Sequence, residues 1–126
     1  MTLYRAIGLM SGTSMDGVDI ALVETDGENV VTFGATGFQP YSDEDRALLR
    51  AALDEAAGLE GGEALPGAVA KAAKMVTARH AEAVELFLRQ KGLSAADIDL
   101  VGFHGQTVIH RPKQRLTVQI GDGEAL

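Results

Sequence analysis

The fold of this chain is decided by the stretch Gly8-Leu9-Met10-Ser11-Gly12-Thr13-Ser14-Met15-Asp16-Gly17-Val18-Asp19. It joins an apolar segment, Tyr4 to Met10, to a second apolar segment, Val18 to Val23. Apolar segments of this length, bounded by turn residues, are typical of β-strands. The intervening glycine and small hydroxyl residues leave backbone N–H groups exposed, which is how proteins hold phosphate. The stretch therefore predicts a phosphate-binding hairpin loop between two strands.

The segments after this hairpin predict a third strand and a capped helix. Asp26-Gly27 is a hairpin-type turn signal, and Val30–Gly37 has the character of a strand, so the chain opens with a three-stranded antiparallel meander. Ser42 followed by Asp43-Glu44-Asp45 predicts a helix N-terminus, because Ser-x-x-Asp resembles a capping box and acids suit the helix dipole. The predicted apolar face of this helix consists of Leu48, Leu49, Ala52 and Leu53.

A second and longer helix is predicted after the glycine-rich loop Gly58 to Gly67. Pro66 suits its first turn, and Gly92 follows its expected end near Lys91. Apolar residues at spacings of three and four give it one buried stripe. That stripe comprises Val69, Ala73, Val76, His80, Ala83 and Phe87.

Three further strand segments follow this helix. Leu100–His104 is nearly continuous in apolar residues, which predicts a fourth strand buried on both faces. Val108–Arg111 and Leu116–Ile120 predict another pair of strands around the turn Pro112–Gln114. The order of strands, helices and strands predicts an α/β or α+β layered domain.

Composition and charge exclude several functional classes. The chain has 126 residues, 46% of them apolar and 23% charged, as expected for one globular domain. A net charge of −7 offers no basic face, so neither nucleic acid nor an anionic membrane is an expected partner. The absence of cysteine excludes disulfides and thiolate chemistry. Without a signal peptide or a span of about 20 apolar residues, a cytoplasmic location is expected.

The loop after Gly12 differs from the common phosphate-binding motifs. Gly12 and Gly17 match the two glycines of the Walker A pattern, but Val18-Asp19 replaces the required Lys-Ser/Thr pair. No Gly-x-Gly-x-x-Gly fingerprint of a dinucleotide-binding unit is present. The remaining interpretations are a strand–loop–strand phosphate grip and an ordinary hairpin turn with solvated acids. In the first, Thr13 and Ser14 face a polyphosphate, and Asp16 and Asp19 hold Mg²⁺ through water.

A second group of polar residues, His104-Gly105-Gln106-Thr107, follows the predicted fourth strand. Ligand sites of α/β sheets gather at strand ends, and Gln106 and Thr107 offer donors and acceptors suited to sugar hydroxyls. Gly121-Asp122-Gly123 follows a strand in the same way. Ordinary polar turns are the alternative interpretation of both segments. His80 is expected in the core, and three histidines without cysteine do not indicate a zinc site.

Three motifs together closely resemble the anhydro-N-acetylmuramic acid kinase family. They are the stretch Gly8 to Asp19, the run Gly102-Phe103-His104-Gly105-Gln106-Thr107-Val108, and Gln119-Ile120-Gly121-Asp122. The resemblance implies an α/β fold of the ribonuclease H-like, actin-like ATPase kind. It implies a mixed sheet that opens with the three-strand meander and is flanked by helices. Residues 1–126 would form the N-terminal part of a two-domain sugar kinase whose second domain is absent from this chain.

The resemblance also implies an activity and its ligands. Members of this family open the 1,6-anhydro ring of the cell-wall amino sugar with water and phosphorylate its 6-oxygen from ATP. The product is N-acetylmuramic acid 6-phosphate, within peptidoglycan recycling. The implied ATP-binding residues are Gly12, Thr13, Ser14, Met15, Asp16, Gly17, Val18 and Asp19, with Mg²⁺ held through water by Asp16 and Asp19. The implied sugar-binding residues are His104, Gln106, Thr107 and Asp122.

This chain departs from the family in its length. The Asp-Thr-Gly-Pro-Gly-Asn-like motif that carries the water-activating aspartate is missing, so the general base is expected beyond Leu126. The residues that follow Gly121-Asp122-Gly123 resemble the first turn of a helix that is cut short. The isolated chain is therefore expected to be inactive, and the resemblance leaves a homodimer of the full-length parent open. The competing hypotheses are a small non-catalytic acidic α/β module that binds a nucleotide or partner, and a kinase for another hexose.

Overall fold

Five strands and two helices follow one another in a computed structural model that describes residues 2–12, 14–58 and 67–124. Their bounds are β1 Tyr4–Ser11, β2 Gly17–Thr25, β3 Val31–Pro40, α1 Asp43–Ala56, α2 Gly67–Gln90, β4 Leu100–Arg111 and β5 Leu116–Ile120. Short 3₁₀ turns, Ala95–Asp97 and Pro112–Gln114, precede β4 and β5. The predicted loop before α2 falls mostly on residues outside those described.

The strands form one mixed five-stranded sheet in the order β3-β2-β1-β4-β5. β1, β2 and β3 pair antiparallel, which confirms the predicted meander. The turn between β2 and β3 forms as predicted, since the Asp26 carboxylate accepts hydrogen bonds from the backbone N–H groups of Glu28, Asn29 and Val30. β4 pairs parallel to β1, and β5 returns antiparallel to β4. The prediction of a layered domain with a mixed sheet is confirmed.

Both helices pack on the same face of this sheet. Inward-pointing residues of the strands, such as Ile7, Leu9 and Ile20, are buried against the helices with Leu49 and Phe87. The opposite face, here called the open face, carries no element among the described residues. It presents Tyr4, Met10, Phe33, Phe38 and Leu100, all exposed.

The prediction that Leu100–His104 is buried on both faces is wrong. Leu100 is 56% exposed because the helix layer covers only one face of β4, and Val101, which lies beside Ile7 on the helix side, is still 44% exposed. The same strand also continues without a break to Arg111, so the segments predicted as two strands form one. A near-continuous apolar run therefore does not by itself show that both faces of a strand are covered.

Both helices form where the sequence predicts them, and Pro66, the predicted start signal of α2, lies outside the described residues. Ser42 caps α1 through a capping box: its Oγ accepts from the Asp45 N–H at 3.1 Å, and its own N–H donates to Asp45 Oδ2 at 3.3 Å. The predicted stripe of α2 is buried at Val69, Val76, His80, Ala83 and Phe87 and partly buried at Ala73. Neither helix within the described ranges has the length and apolarity needed to cross a membrane.

An ion pair joins the two helices. Arg79 of α2 donates from Nε and Nη2 to the two carboxylate oxygens of Asp45, at 2.8 and 3.2 Å. Burial of Asp45 raises its pKa, but the hydrogen bonds from Arg79 and Ser42 outweigh burial and hold the pKa below its usual value. Asp45 therefore stabilises both the start of α1 and its packing on α2.

His80 is a core residue, as predicted. Its Nδ1 donates to the Val76 carbonyl at 2.6 Å, and its ring meets the Phe103 ring edge-on with centroids 4.8 Å apart. Nε2 is buried with no hydrogen-bond partner among the described residues. Burial lowers the pKa of His80 more than the Val76 hydrogen bond raises it. The neutral ring is therefore the folded form.

We expect the stability of the domain to fall between pH 7.5 and pH 5.5, and the variant His80→Gln to lose most of this dependence. The unfolded chain takes up a proton on His80 near its ordinary pKa of 6.5, whereas the folded chain resists protonation to lower pH. Stability is therefore complete above pH 6.5 and is lost as the pH falls towards the folded pKa. Urea denaturation at the two pH values measures the change. The exposed control His110→Gln should keep the wild-type dependence, and equal profiles for all three proteins would contradict the assignment.

Candidate functional site

The parallel pairing of β1 and β4 brings the two main sequence motifs together. Ser11, at the end of β1, lies opposite Gln106 in β4. The loop between β1 and β2 starts from this point, with the Met15 N–H bonded to the Gly12 carbonyl at 3.1 Å. Tyr41, after β3, donates its backbone N–H to the Asp16 carbonyl at 2.9 Å. The candidate phosphate loop is thus anchored at both ends.

A buried hydrogen-bond network lies beneath this loop. The Tyr41 hydroxyl bonds to Ser11 Oγ at 2.8 Å, and Ser11 Oγ donates to Gln106 Oε1. Gln106 Nε2 then donates to the Gly12 carbonyl at 3.1 Å. All three side chains are almost fully buried, and burial raises the pKa of Tyr41. This network holds the Gly12 carbonyl, the first carbonyl of the loop, in place through contacts with the core.

Sequence reasoning missed Ser11 and Tyr41 as members of this site. Ser11 carried one signal, since it continues the inward alternation of Ile7 and Leu9 and so had to bury a hydroxyl that needs partners. Tyr41 carried none, because its partner lies 30 residues away in the sequence.

The predicted sugar-binding residues do not share one surface. His104 is exposed on the open face, whereas Gln106 is buried on the helix face with its amide engaged by Ser11 and Gly12. Thr107 Oγ1 accepts from Gln119 Nε2 at 3.3 Å. The four-residue motif also lies inside β4 and not at a strand end, which corrects the prediction. Direct contact of these residues with a sugar stays a prediction.

Two glycines explain how the motif sits inside a strand. Gly105 has a φ of +73° and forms a bulge in the register between β1 and β4. A Cβ there would clash with the Ile120 carbonyl oxygen, and one at Gly121 would lie 2.6 Å from Phe103 Cζ. Only glycine at these positions allows β5 to end against the bulge. This places Asp122 nearby, with its N–H donating to Thr77 Oγ1 at 2.9 Å.

Some of the predicted ATP-binding residues are exposed, and others are packed in the core of the domain. Ser14 and Asp16 are exposed in the loop, and Asp19 is exposed on the open face opposite Met10. Val18 is fully buried in the core, and a Cβ on Gly17 would lie 2.7 Å from Pro40 Cα, so both positions serve packing. Thr13, also predicted to bind ATP, lies outside the described residues. Met15 adopts a φ of +57° and packs against the core.

Asp16 in the loop and Asp19 in β2 suit a magnesium site that keeps most of its waters. The carboxylates of Asp16 and Asp19 accept no hydrogen bond from any residue that the structure describes. Within those same ranges, no group of three or more acidic or histidine side chains forms a closed metal cage. Mg²⁺ keeps several waters and commonly takes one or two protein carboxylates together with phosphate oxygens. Two exposed carboxylates in and next to the candidate phosphate loop are consistent with that chemistry.

Comparison with known proteins identifies the family. The family described as anhydro-N-acetylmuramic acid kinase matches residues 4–126. Curated proteins of that name from Nitrobacter winogradskyi and Bradyrhizobium diazoefficiens are 59% and 60% identical over 124 residues, or 98% of this chain. One from Methylorubrum populi is 54% identical over 136 aligned positions. The chain spans about a third of the length of these relatives. Because the family match runs over residues 4–126 and the relatives are more than half identical across nearly the whole chain, the chain belongs to the anhydro-N-acetylmuramic acid kinase family.

Proposed function

We propose that this chain is the N-terminal part of a cytoplasmic, two-domain, actin-like sugar kinase. Its activity opens 1,6-anhydro-N-acetylmuramic acid with water and phosphorylates the sugar from ATP, giving N-acetylmuramic acid 6-phosphate for peptidoglycan recycling. The observation that carries the proposal is the hydrogen bond from Gln106 Nε2 to the Gly12 carbonyl. It holds the loop suited to phosphate beside the strand that carries the motif suited to sugar, and phosphoryl transfer needs the two ligands held close together.

Each part of the site has its own task in this proposal. Backbone N–H groups at Gly12 and Ser14 bind the phosphates of ATP, because glycine and small hydroxyl residues leave room for an anion. Asp16 and Asp19 hold Mg²⁺ through water, and bound Mg²⁺ supplies charge neutralisation at the phosphates. His104, on the open face, contacts the sugar. The general base comes from outside this chain, so the isolated chain is proposed to be inactive.

The fold supports the ribonuclease H-like assignment and favours a fragment over a self-sufficient module. The sheet combines the antiparallel meander with β4, which is added beside β1 and pairs parallel to it at the centre of the sheet. A self-sufficient acidic binding module would cover its apolar surface, yet Met10 and Phe33 are 54% and 83% exposed on the open face. Neither nucleic acid nor membrane is a proposed partner.

A chimaera tests the proposed activity. This chain replaces the matching stretch of the Nitrobacter winogradskyi relative, with which it is 59% identical. We expect ADP release from ATP that depends on the anhydro sugar, measured by a coupled assay, and no turnover by the isolated chain. Glucose in place of the anhydro sugar is the control for acceptor specificity. A folded chimaera without turnover, or turnover by the chain alone, would contradict the proposal.

A further inference from the structure

Gly12 opens the candidate phosphate loop, and no side chain of its own restrains its backbone. A Cβ at this position would lie no nearer than 4.0 Å to Met10 Cε, so the surroundings leave the glycine room to rotate. A carbonyl that turned outward would present its oxygen to the phosphates of ATP, and the two would repel each other. A loop that binds phosphate here therefore needs a contact that holds the Gly12 carbonyl inward.

Gln106 supplies that contact from within the core. Its Nε2 donates to the Gly12 carbonyl at 3.1 Å and to the Thr107 carbonyl at 3.3 Å. The side-chain amide has one favourable orientation, because a reversed amide would set Oε1 against both of these carbonyl oxygens. Gln106 is 1% exposed, so it offers a sugar almost no surface, and its amide is already engaged with backbone groups. Its contribution to the site is therefore made through Gly12.

Ser11 and Tyr41 hold Gln106 in this orientation. Ser11 Oγ donates its single hydrogen to Gln106 Oε1, so the Tyr41 hydroxyl is the donor in the 2.8 Å bond between the two hydroxyls. Among the described residues, Ser11 is the donor that reaches Gln106 Oε1. The backbone N–H of Tyr41 donates to the Asp16 carbonyl at 2.9 Å, so this one residue is tied to both ends of the loop. The hydroxyl of Tyr41 thus acts on the loop in series, through Ser11 and then Gln106.

We propose that this buried hydrogen-bond network positions the loop for ATP by keeping the Gly12 carbonyl turned away from the phosphates. Tyr41, Ser11 and Gln106 are then positioning residues, which touch no substrate and act through the loop. The inference rests on the proposed function, because it requires ATP at this loop. It predicts that damage to the network weakens the binding of ATP and spares the binding of the sugar, although Gln106 belongs to the same sequence motif as His104.

Ser11→Ala in the chimaera tests the proposal by removing the donor to Gln106 Oε1. A buried amide oxygen without a donor is costly, so we expect Gln106 to shift and release the Gly12 carbonyl. The dissociation constant of ATP, measured by titration calorimetry, should rise about tenfold or more, while that of the anhydro sugar stays within about twofold of the parent's. Hydrogen exchange of the Met15 N–H, which bonds to the same carbonyl, should accelerate about tenfold in the absence of ligands.

Tyr41→Phe tests the order of action with a smaller change. It leaves the bond from Ser11 to Gln106 in place, so the dissociation constant of ATP should rise only about threefold. The double variant with Ser11→Ala should bind ATP as Ser11→Ala alone does, because the Tyr41 hydroxyl acts through Ser11. Effects that multiply would contradict action in series. If Ser11→Ala does not fold, Tyr41→Phe decides, and unchanged binding of ATP by this variant would overturn the inference.

Val69→Ala is the control for lost stability, because Val69 is fully buried near the start of α2 and takes no part in the network. It should lower the Tm of the chimaera and leave both dissociation constants unchanged. Unchanged binding of ATP by Ser11→Ala, or equal weakening of ATP and sugar binding, would overturn the inference. Because binding is measured and not turnover, a parent chimaera that binds ATP without phosphorylating the sugar contradicts the proposed function alone. A parent that binds no ATP would overturn both.

Discussion

Replacing Gly105 with alanine is expected to destabilise the domain by about 3 kcal/mol or more. The residue has a φ of +73°, which alanine adopts only with strain, and its new Cβ would also clash with the Ile120 carbonyl oxygen. The clash is with backbone, including the Ile120 carbonyl carbon at 2.9 Å, so rotation of a side chain cannot relieve it. Relief requires β5 to move away from the bulge of β4. Urea denaturation of the isolated chain measures the loss.

Gly92→Ala separates the two causes of this loss. Gly92 has a similar φ of +68°, but a Cβ there would meet nothing within 4 Å. Its substitution is expected to cost about 1 kcal/mol, which is the conformational penalty alone. The difference between the two variants then measures the steric part. Equal losses of unfolding free energy would show that β5 moves aside at little energetic cost and that the bulge does not hold Gly121 and Asp122 in place.

The elements predicted well from sequence are those specified by neighbouring residues. The capping box of Ser42 and Asp45 needs only a spacing of three, and the stripe of α2 needs only helical periodicity. The hairpin turn at Asp26 likewise forms from hydrogen bonds that its carboxylate accepts from the N–H groups of the next few residues. In each case the residues that determine the structure lie within a few positions of one another, so the sequence alone is enough to recognise their pattern.

The errors arose where the outcome depends on distant residues. An apolar run such as Leu100–His104 does not reveal whether one or two layers cover it, and that depends on helices elsewhere. The motif around Gly105 was placed at a strand end because glycine and polar residues usually interrupt strands, whereas a bulge lets β4 continue through them. The bulge also separates His104 and Gln106 onto different faces. Tyr41 could not be found, because its partner Ser11 becomes a neighbour only after the meander forms.

In the chimaera, Gly12→Val is expected to lower kcat/KM for ATP by on the order of 100-fold, the scale of losing one well-placed backbone donor to a charged oxygen. The branched side chain would stand where the phosphates approach the loop. Within the fold it has room, since a Cβ at Gly12 lies no nearer than 4.0 Å to Met10 Cε. The variant should therefore keep the Tm of the parent chimaera. Steady-state kinetics at saturating sugar and thermal unfolding measure the two quantities.

Asp43→Asn is the matched control, because this carboxylate is fully exposed on the first turn of α1 and is not part of the loop. It should leave kcat/KM for ATP unchanged. If Gly12→Val retained the parent's affinity for ATP with an unchanged Tm, the loop would be an ordinary turn and the phosphates would bind elsewhere. If both Tm and activity fell, a third variant, Ser14→Ala, would decide. Ser14 is exposed, so its substitution removes a hydroxyl without disturbing packing, and a fall in ATP affinity at constant Tm would still locate the phosphates at this loop.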